Sequence, residues 1–235
     1  MRQASMKQFV TSAIVLRRTN FGEADRIITV LTPDHGKLRL MAKGARRMKS
    51  KLAGGIDLFS VSDLTVLPGK GDIGTLVSSR MQRHYGEIVK DLNRTQLGYE
   101  LIKQLDKITE DAAETDYFAV LDQVLAGLND AGIDMAFIRL WFDAQLLRLG
   151  GHSPNLRTDT ASQPLDASKR YKFDFDDMAF TLEPRGHFNA KYIKFLRLVF
   201  SPHSLVDIAK VQGADELLKA SQLLIQTMFT TYIPV

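Results

Sequence analysis

Before His84 the chain alternates five times between a short run rich in Val, Ile, Leu and Thr and a turn signal, a pattern that restricts this part to sheet. The runs cover residues 11–18, 25–32, 37–43, 58–67 and 74–82. Asn20-Phe21-Gly22, Pro33-Asp34-His35-Gly36, a loop holding Gly44, Gly54 and Gly55, and Pro68-Gly69-Lys70-Gly71 separate them. Five strands this short must hide their edges, and a sheet does so by closing on itself. A five-stranded OB-fold barrel over residues 1–82 is the expected architecture. Spacing alone leaves a five-stranded SH3-like barrel open as the alternative.

After His84 the apolar period becomes helical. Leu97, Leu101, Ile102, Leu105 and Ile108 predict one amphipathic helix, and Phe118, Leu121, Val124, Leu125 and Leu128 the next. Phe137, Ile138, Leu140, Trp141, Phe142, Leu146 and Leu147 surround a third, which predicts the centre of a bundle, ended by Gly150-Gly151. On it, Arg139 and Asp143 are spaced to pair. Residues 151–187 are polar and hold Pro154, Pro164 and Pro184. Within them Tyr171, Phe173 and Phe175, then Phe180 and Leu182 beyond Asp176-Asp177, predict a small hairpin. Helices resume over residues 189–200 and 204–232. The expected class is therefore α+β: a barrel domain, 1–82, followed by an α-helical domain, 83–235, with a polar insert at 151–187.

Charge is concentrated at one end. Residues 1–51 hold twelve Lys or Arg against three acids, a net of +9, and the rest nineteen against twenty-four, a net of −5, which together give the +4 of the whole chain. Seven cations and no acid lie between Lys37 and Lys51: Lys37, Arg39, Lys43, Arg46, Arg47, Lys49 and Lys51. Along the strand, Lys37, Arg39, Met41 and Lys43 alternate with Leu38, Leu40 and Ala42, so one face packs and the other carries charge. A cationic strand face running into a cationic loop suits a polyanion backbone. The competing reading is a strand edge kept positive against aggregation.

Other chemistries lack their residues. The chain has no cysteine, so it has no disulfide, thiol nucleophile or cysteine zinc site. His35, His84, His152, His187 and His203 are scattered, and Asp174, Asp176 and Asp177 have turn spacing rather than that of a calcium loop. Gly69-Lys70-Gly71 is too short for a phosphate-binding loop. Glu23 and Asp25 have no nucleophile or histidine nearby in sequence, and a turn role is expected, with Asp25 pairing to Arg26 or a loop arginine. No metal, cofactor or enzymatic activity is expected. No run reaches the ~18 apolar residues that span a bilayer, residues 1–10 lack a signal's apolar core, and a cytoplasmic protein is expected.

Several pieces, in order and spacing, resemble a family: Ala13-Ile14-Val15-Leu16-Arg17, Gly22-Glu23-Ala24-Asp25-Arg26, Leu31-Thr32-Pro33-Asp34-His35-Gly36, Ala42-Lys43-Gly44-Ala45-Arg46 and Leu58-Phe59. They are similar to the N-terminal domain of RecO, a bacterial recombinational-repair mediator. Weaker likeness continues through Leu140 to Leu149 and Gly150-Gly151-His152-Ser153-Pro154-Asn155-Leu156. The resemblance implies an OB-fold barrel and a helical domain in a non-enzymatic protein that binds single- and double-stranded DNA and anneals complementary strands. It implies work with RecR and with the acidic tail of single-stranded-DNA-binding protein (SSB) to load RecA, in the bacterial cytoplasm at the nucleoid. It carries a DNA face over to Arg17, Arg26, Lys37, Arg39, Lys43, Arg46 and Arg47, which Lys49 and Lys51 of the loop extend. Many members hold a four-cysteine zinc module where residues 151–187 lie; here that insert must hold by packing Tyr171, Phe173, Phe175 and Phe180. Members commonly continue into a basic C-terminal tail, whereas this sequence ends at Val235.

Three further features are open to more than one role. Arg17 and Arg18 are adjacent, so only one of them faces the DNA side of a strand. Phe21 in the first turn is expected to pack, with base stacking as its alternative. Lys191, Lys194 and Arg197 form one helical stripe, a solvated face or a secondary basic site. An RNA-binding OB protein, a metal-dependent nuclease and an adaptor for acidic tails are the rival functions.

Overall fold

The computed structural model describes residues 7–69, 71–109, 115–211 and 213–233. Five strands form a closed barrel: β1 (Phe9–Phe21), β2 (Asp25–Thr32), β3 (Gly36–Ala42), β4 (Ser60–Leu67) and β5 (Ile73–His84), in the order β1-β2-β3-β5-β4 with β4 returning to β1. All pairs are antiparallel except β3 with β5, so the barrel is an OB-fold and not the SH3-like alternative. β2 has the expected bounds. β1 and β5 are longer than their apolar runs, and β4 begins two residues later because buried Phe59 adopts a left-handed φ of 58°.

Alternation along each strand separates two apolar layers. Ala13, Val15, Ile28, Val30, Leu40, Ala42, Leu64, Val66 and Leu76 fill the barrel. Ile14 and Leu31, paired across β1 and β2, point outward yet are 0% and 2% exposed. The cover comes from α1 (Leu92–Ile108) packing on β1 and α2 (Thr115–Asn129) packing on β2. Gly98 of α1 makes room for the Phe59 ring: a Cβ there would lie 2.8 Å from its Cε1 atom.

The chain forms two compact units, Met1–Ala131 and Gly132–Val235. In the second, α3 (Met135–Leu149) is buried nearly all round, as its apolar pattern predicts, and packs on α6 (Ala214–Tyr232). α4 (Ala190–Val199) is capped by Asn189, whose side chain accepts from the Lys191 and Tyr192 amides. The helix expected over 204–232 is in fact two, α5 (Leu205–Ala209) and α6, with Gly213 at φ 80° at the N-cap of α6. β6 (Tyr171–Asp174) and β7 (Ala179–Leu182) form the predicted hairpin. Its rings pack edge to face, Phe173 on Phe175 at 5.1 Å, Phe173 on Phe180 at 5.2 Å and Phe180 on Phe188 at 5.3 Å. Aromatic packing thus holds the cysteine-free insert, with Phe188 added to the expected set.

Candidate nucleic-acid interface

Register fixes which barrel cations share a face. Arg17 of β1 pairs with Thr29 of β2, and Thr29 with Arg39 of β3, so both arginines stand on the outer face. A bulge between Val15 and Arg17 sets this phase. The next outward row is Thr19, Ile27 and Met41, and the last rung pairs Phe21 with Asp25. Beyond β3, Lys43 is exposed. At the other end Arg39 borders a pocket of about 340 Å³ with Pro68, Gly69, Gly71 and Asp72 of the β4–β5 turn. The outer face of β2 and β3, with the β1–β2 and β4–β5 turns at its ends, is where OB-folds bind oligonucleotides.

Two arginines take other directions. Arg26 pairs with Ala42, a core residue, so it lies on the opposite side of the hairpin from Arg17 and donates from Nε to Asn20 Oδ1 at 3.3 Å. Arg18 forms an ion pair of 2.8 Å with Asp57. Lys37 does face outward with Arg39, but the fold takes up its charge. Its Nζ donates to the Asp106 and Thr109 carbonyls, at 2.7 and 2.5 Å, and lies 3.3 Å from the Asp106 carboxylate, in a side chain only 12% exposed. These are the open carbonyls at the C-terminus of α1, where a cation is favoured. Lys37 therefore caps a helix. Arg17 also reaches Asp106, at 3.7 Å, while its side chain stays 61% exposed.

The basic loop after β3 is a run of turns anchored at both ends. Ala45 and Ile56 enter the barrel core, and Leu52 packs against it. The exposed cations Arg46, Arg47, Lys49 and Lys51 lie between these anchors, and Met48 is fully exposed. Three bonds pin the loop to the β1–β2 turn: Gly44 N–H to Asp25 Oδ1 (2.7 Å), Arg46 N–H to the Ala24 carbonyl (2.9 Å) and Arg46 Nη1 to the Gly22 carbonyl (3.2 Å). Gly44 has φ 66° and Gly22 φ 55°, which glycine adopts without strain. Asp25 has its turn role, with a backbone N–H as partner and no arginine in ion-pair distance among the described residues. Among the described residues Arg39, Lys43, Arg46, Arg47, Lys49 and Lys51 have no carboxylate within ion-pair distance. Phe21 is 52% exposed and meets no other ring among them, in contrast to the packing expected of it.

In the second unit Lys191, Lys194 and Arg197 are exposed on α4 opposite buried Ile193 and Leu196, and Arg197 Nε donates to the Leu156 carbonyl at 2.9 Å. A groove of about 740 Å³, which the sequence does not reveal, is lined by Phe173, Phe175, Leu223, Lys172, Lys219 and Glu216 among others. The carboxylate of Asp174 accepts from the Asp176 and Asp177 amides, as a turn residue does. No three His, Asp or Glu side chains among the described residues are placed to hold a metal. None of the helices described is long and apolar enough to cross a membrane.

Residues 6–85 match a family model described as Recombination protein O N terminal. A protein named DNA repair protein RecO from Exiguobacterium is 27% identical over 97% of this chain and 90% of its own length. The chain belongs to the RecO family. Other RecO proteins match the N-terminal part more strongly. That of Rhodopirellula baltica is 37% identical over 60% of this chain, and that of Dehalococcoides mccartyi strain 195 is 32% identical over 63%. In these two matches the chain spans about half the length of the relative, 53% and 58%. The family match ends at residue 85, one residue past β5, so it covers the barrel that carries the cationic face.

Proposed function

We propose that the chain is a non-enzymatic recombination mediator that binds single- and double-stranded DNA on the outer face of its barrel and anneals complementary strands. The observation that carries this reading is the basic loop pinned to the β1–β2 turn, which holds Arg46, with Lys43, Arg47, Lys49 and Lys51 beside it, free of carboxylate partners beyond the outward row of Arg17 and Arg39. Arg26 reaches the same ligand from the other side of the hairpin, and Lys37 supports the face by holding α1. Such a surface neutralises phosphates and leaves base edges free to pair. The likeness to proteins named DNA repair protein RecO supports a setting in DNA repair, and we propose that the chain acts in recombinational repair in a bacterial cytoplasm, with RecR as co-mediator and RecA as the recombinase loaded. The acidic tail of SSB is assigned to the second unit. There Lys191 and Lys194 have no carboxylate within ion-pair distance among the described residues, and Lys172 and Lys219 line an apolar groove.

The test is annealing of two complementary strands followed by fluorescence across a salt series, beside a Lys43→Glu, Arg46→Glu, Arg47→Glu variant. If all six unpaired cations meet phosphates, the log-log salt slope on single strands is about −4. Fast annealing that the variant loses supports the reading. A wild type that neither binds nor anneals DNA at low salt overturns it, and equal affinity for RNA without annealing moves the site to RNA metabolism.

A further inference from the structure

Of the four Phe and Tyr rings that the barrel strands and their flanks offer, three are accounted for by folding. Phe9 meets His35 in a tilted contact with centroids 4.1 Å apart, Phe59 is 1% exposed against Tyr99 and the gap left by Gly98, and Tyr85 is 8% exposed with its hydroxyl donating to Asp122 Oδ1 at 2.6 Å. Phe21 is not. It ends β1 with 52% of its surface exposed and no ring partner among the described residues, so the fold gains little from its size. Its position is fixed nonetheless. The ladder runs to its own rung with Asp25, and Asp25 in turn holds the Gly44 amide, so Phe21 and the cationic loop belong to one bonded unit. Alternation sets Phe21 on the same side of β1 as Thr19 and Arg17, about 13 Å beyond Arg17 at the rise of a strand. An exposed ring held at the end of a row of outward cations is the arrangement by which OB-folds grip single strands, phosphates on the charges and a base on the ring.

We infer that Phe21 is a stacking platform for one unpaired base. This rests on the DNA-binding reading above. A base inside a duplex is stacked on both sides and offers the ring nothing, whereas an unpaired base gains a face. Phosphate contacts are indifferent to that difference.

The experiment compares wild type, Phe21→Ala and Phe21→Trp on a labelled oligothymidylate and on an abasic strand of equal length. Stacking is worth about 1–3 kcal/mol per base, so Phe21→Ala is expected to weaken oligothymidylate binding roughly 5- to 150-fold while the abasic strand and the salt slope are unaffected. Phe21→Trp keeps the affinity, and its indole emission is quenched on binding, over a constant background from Trp141, which is 1% exposed. Equal binding of oligothymidylate by wild type and Phe21→Ala overturns the inference. So does an equal loss on the abasic strand, which would make the ring a support for the turn or a contact for another macromolecule. If wild type binds neither strand, the DNA reading itself has failed, and that is visible before any variant is compared.

Discussion

Lys37 and Lys43 lie six residues apart in the same basic run, and replacing each with methionine separates charge that holds the fold from charge offered to a ligand. Lys37 Nζ serves two carbonyls and a carboxylate at the end of α1 in a side chain 12% exposed. A hydrogen bond to a charged group contributes about 1.5–3 kcal/mol, and the acceptors left behind are poorly solvated. Because the three contacts share one ammonium they do not add, and Lys37→Met is expected to cost about 2–4 kcal/mol. Lys43 is exposed with no ion pair among the described residues, so its replacement stays within about 0.5 kcal/mol in stability. The order reverses in DNA binding. Lys43→Met lowers the salt slope on single strands by about 0.7, one phosphate contact, whereas Lys37→Met leaves the slope unchanged at temperatures where the protein is folded. Urea unfolding followed by circular dichroism, with fluorescence anisotropy at several salt concentrations, reads both quantities. A Lys37→Met protein with wild-type stability and a slope reduced by about 0.7 would refute the assignment.

Asp143 is 5% exposed, and burial pushes its carboxyl up to about 6 against the opposing pull of Arg139. With the folded value above the unfolded one, the contribution of Asp143 to stability is fully present below about pH 4 and is lost, by on the order of 3 kcal/mol, as pH rises through about 6. Asp143→Asn should abolish that slope in denaturation at about pH 4.5 and 7. Gly98→Ala gains about 1 kcal/mol in helix propensity but places a methyl 2.8 Å from the Phe59 ring, and the overpacking should leave a net loss of about 1–2 kcal/mol in thermal unfolding. Asp25→Ala removes an acid from a basic face, so charge counting alone predicts faster annealing. Loss of the Gly44 amide bond predicts slower annealing, and the second outcome is expected in the fluorescence assay.

The barrel is legible in the sequence because its signals are local. Period-two runs and turn residues mark five strands, and only the parallel pairing of β3 with β5, a relation between distant residues, is needed to settle which barrel they build. The hairpin and the buried helix α3 are readable for the same reason, and so is the Arg139–Asp143 pair, at 3.0 Å. The break before α6 is not, since a single glycine, Gly213, in the polar stretch from Lys210 to Glu216 is a weak stop signal between apolar residues on both sides. The site is legible in composition and not in assignment. Alternation puts Lys37 and Arg39 on one face correctly, but nothing in the strand tells that the end of a helix some seventy residues later lies over one and not the other. Asp25 reads as a turn residue, yet its partner is a backbone amide, which every residue but proline offers and no pattern singles out.

How the cations are held bears on what an annealing surface requires. A protein that brings two strands together must bind each firmly enough to align it and then release the duplex. Many separate phosphate contacts satisfy both demands, because each is weak, all are screened by salt, and none reads a base. Buried charge pairs would satisfy neither, since breaking one is costly. The two kinds of cation are segregated in this way. Arg18 and Lys37 are paired within the fold, while the loop cations are exposed on a backbone that Ala45, Ile56 and the Asp25–Gly44 bond keep in place. On the proposed DNA-binding reading the scaffold loses little entropy because it is already ordered, and the loop side chains take up phosphates against no carboxylate among the described residues, with Arg46 also meeting the Gly22 carbonyl. Stiffening the scaffold without touching its charge should therefore raise affinity for single strands, whereas adding carboxylates opposite the loop should lower both affinity and salt slope.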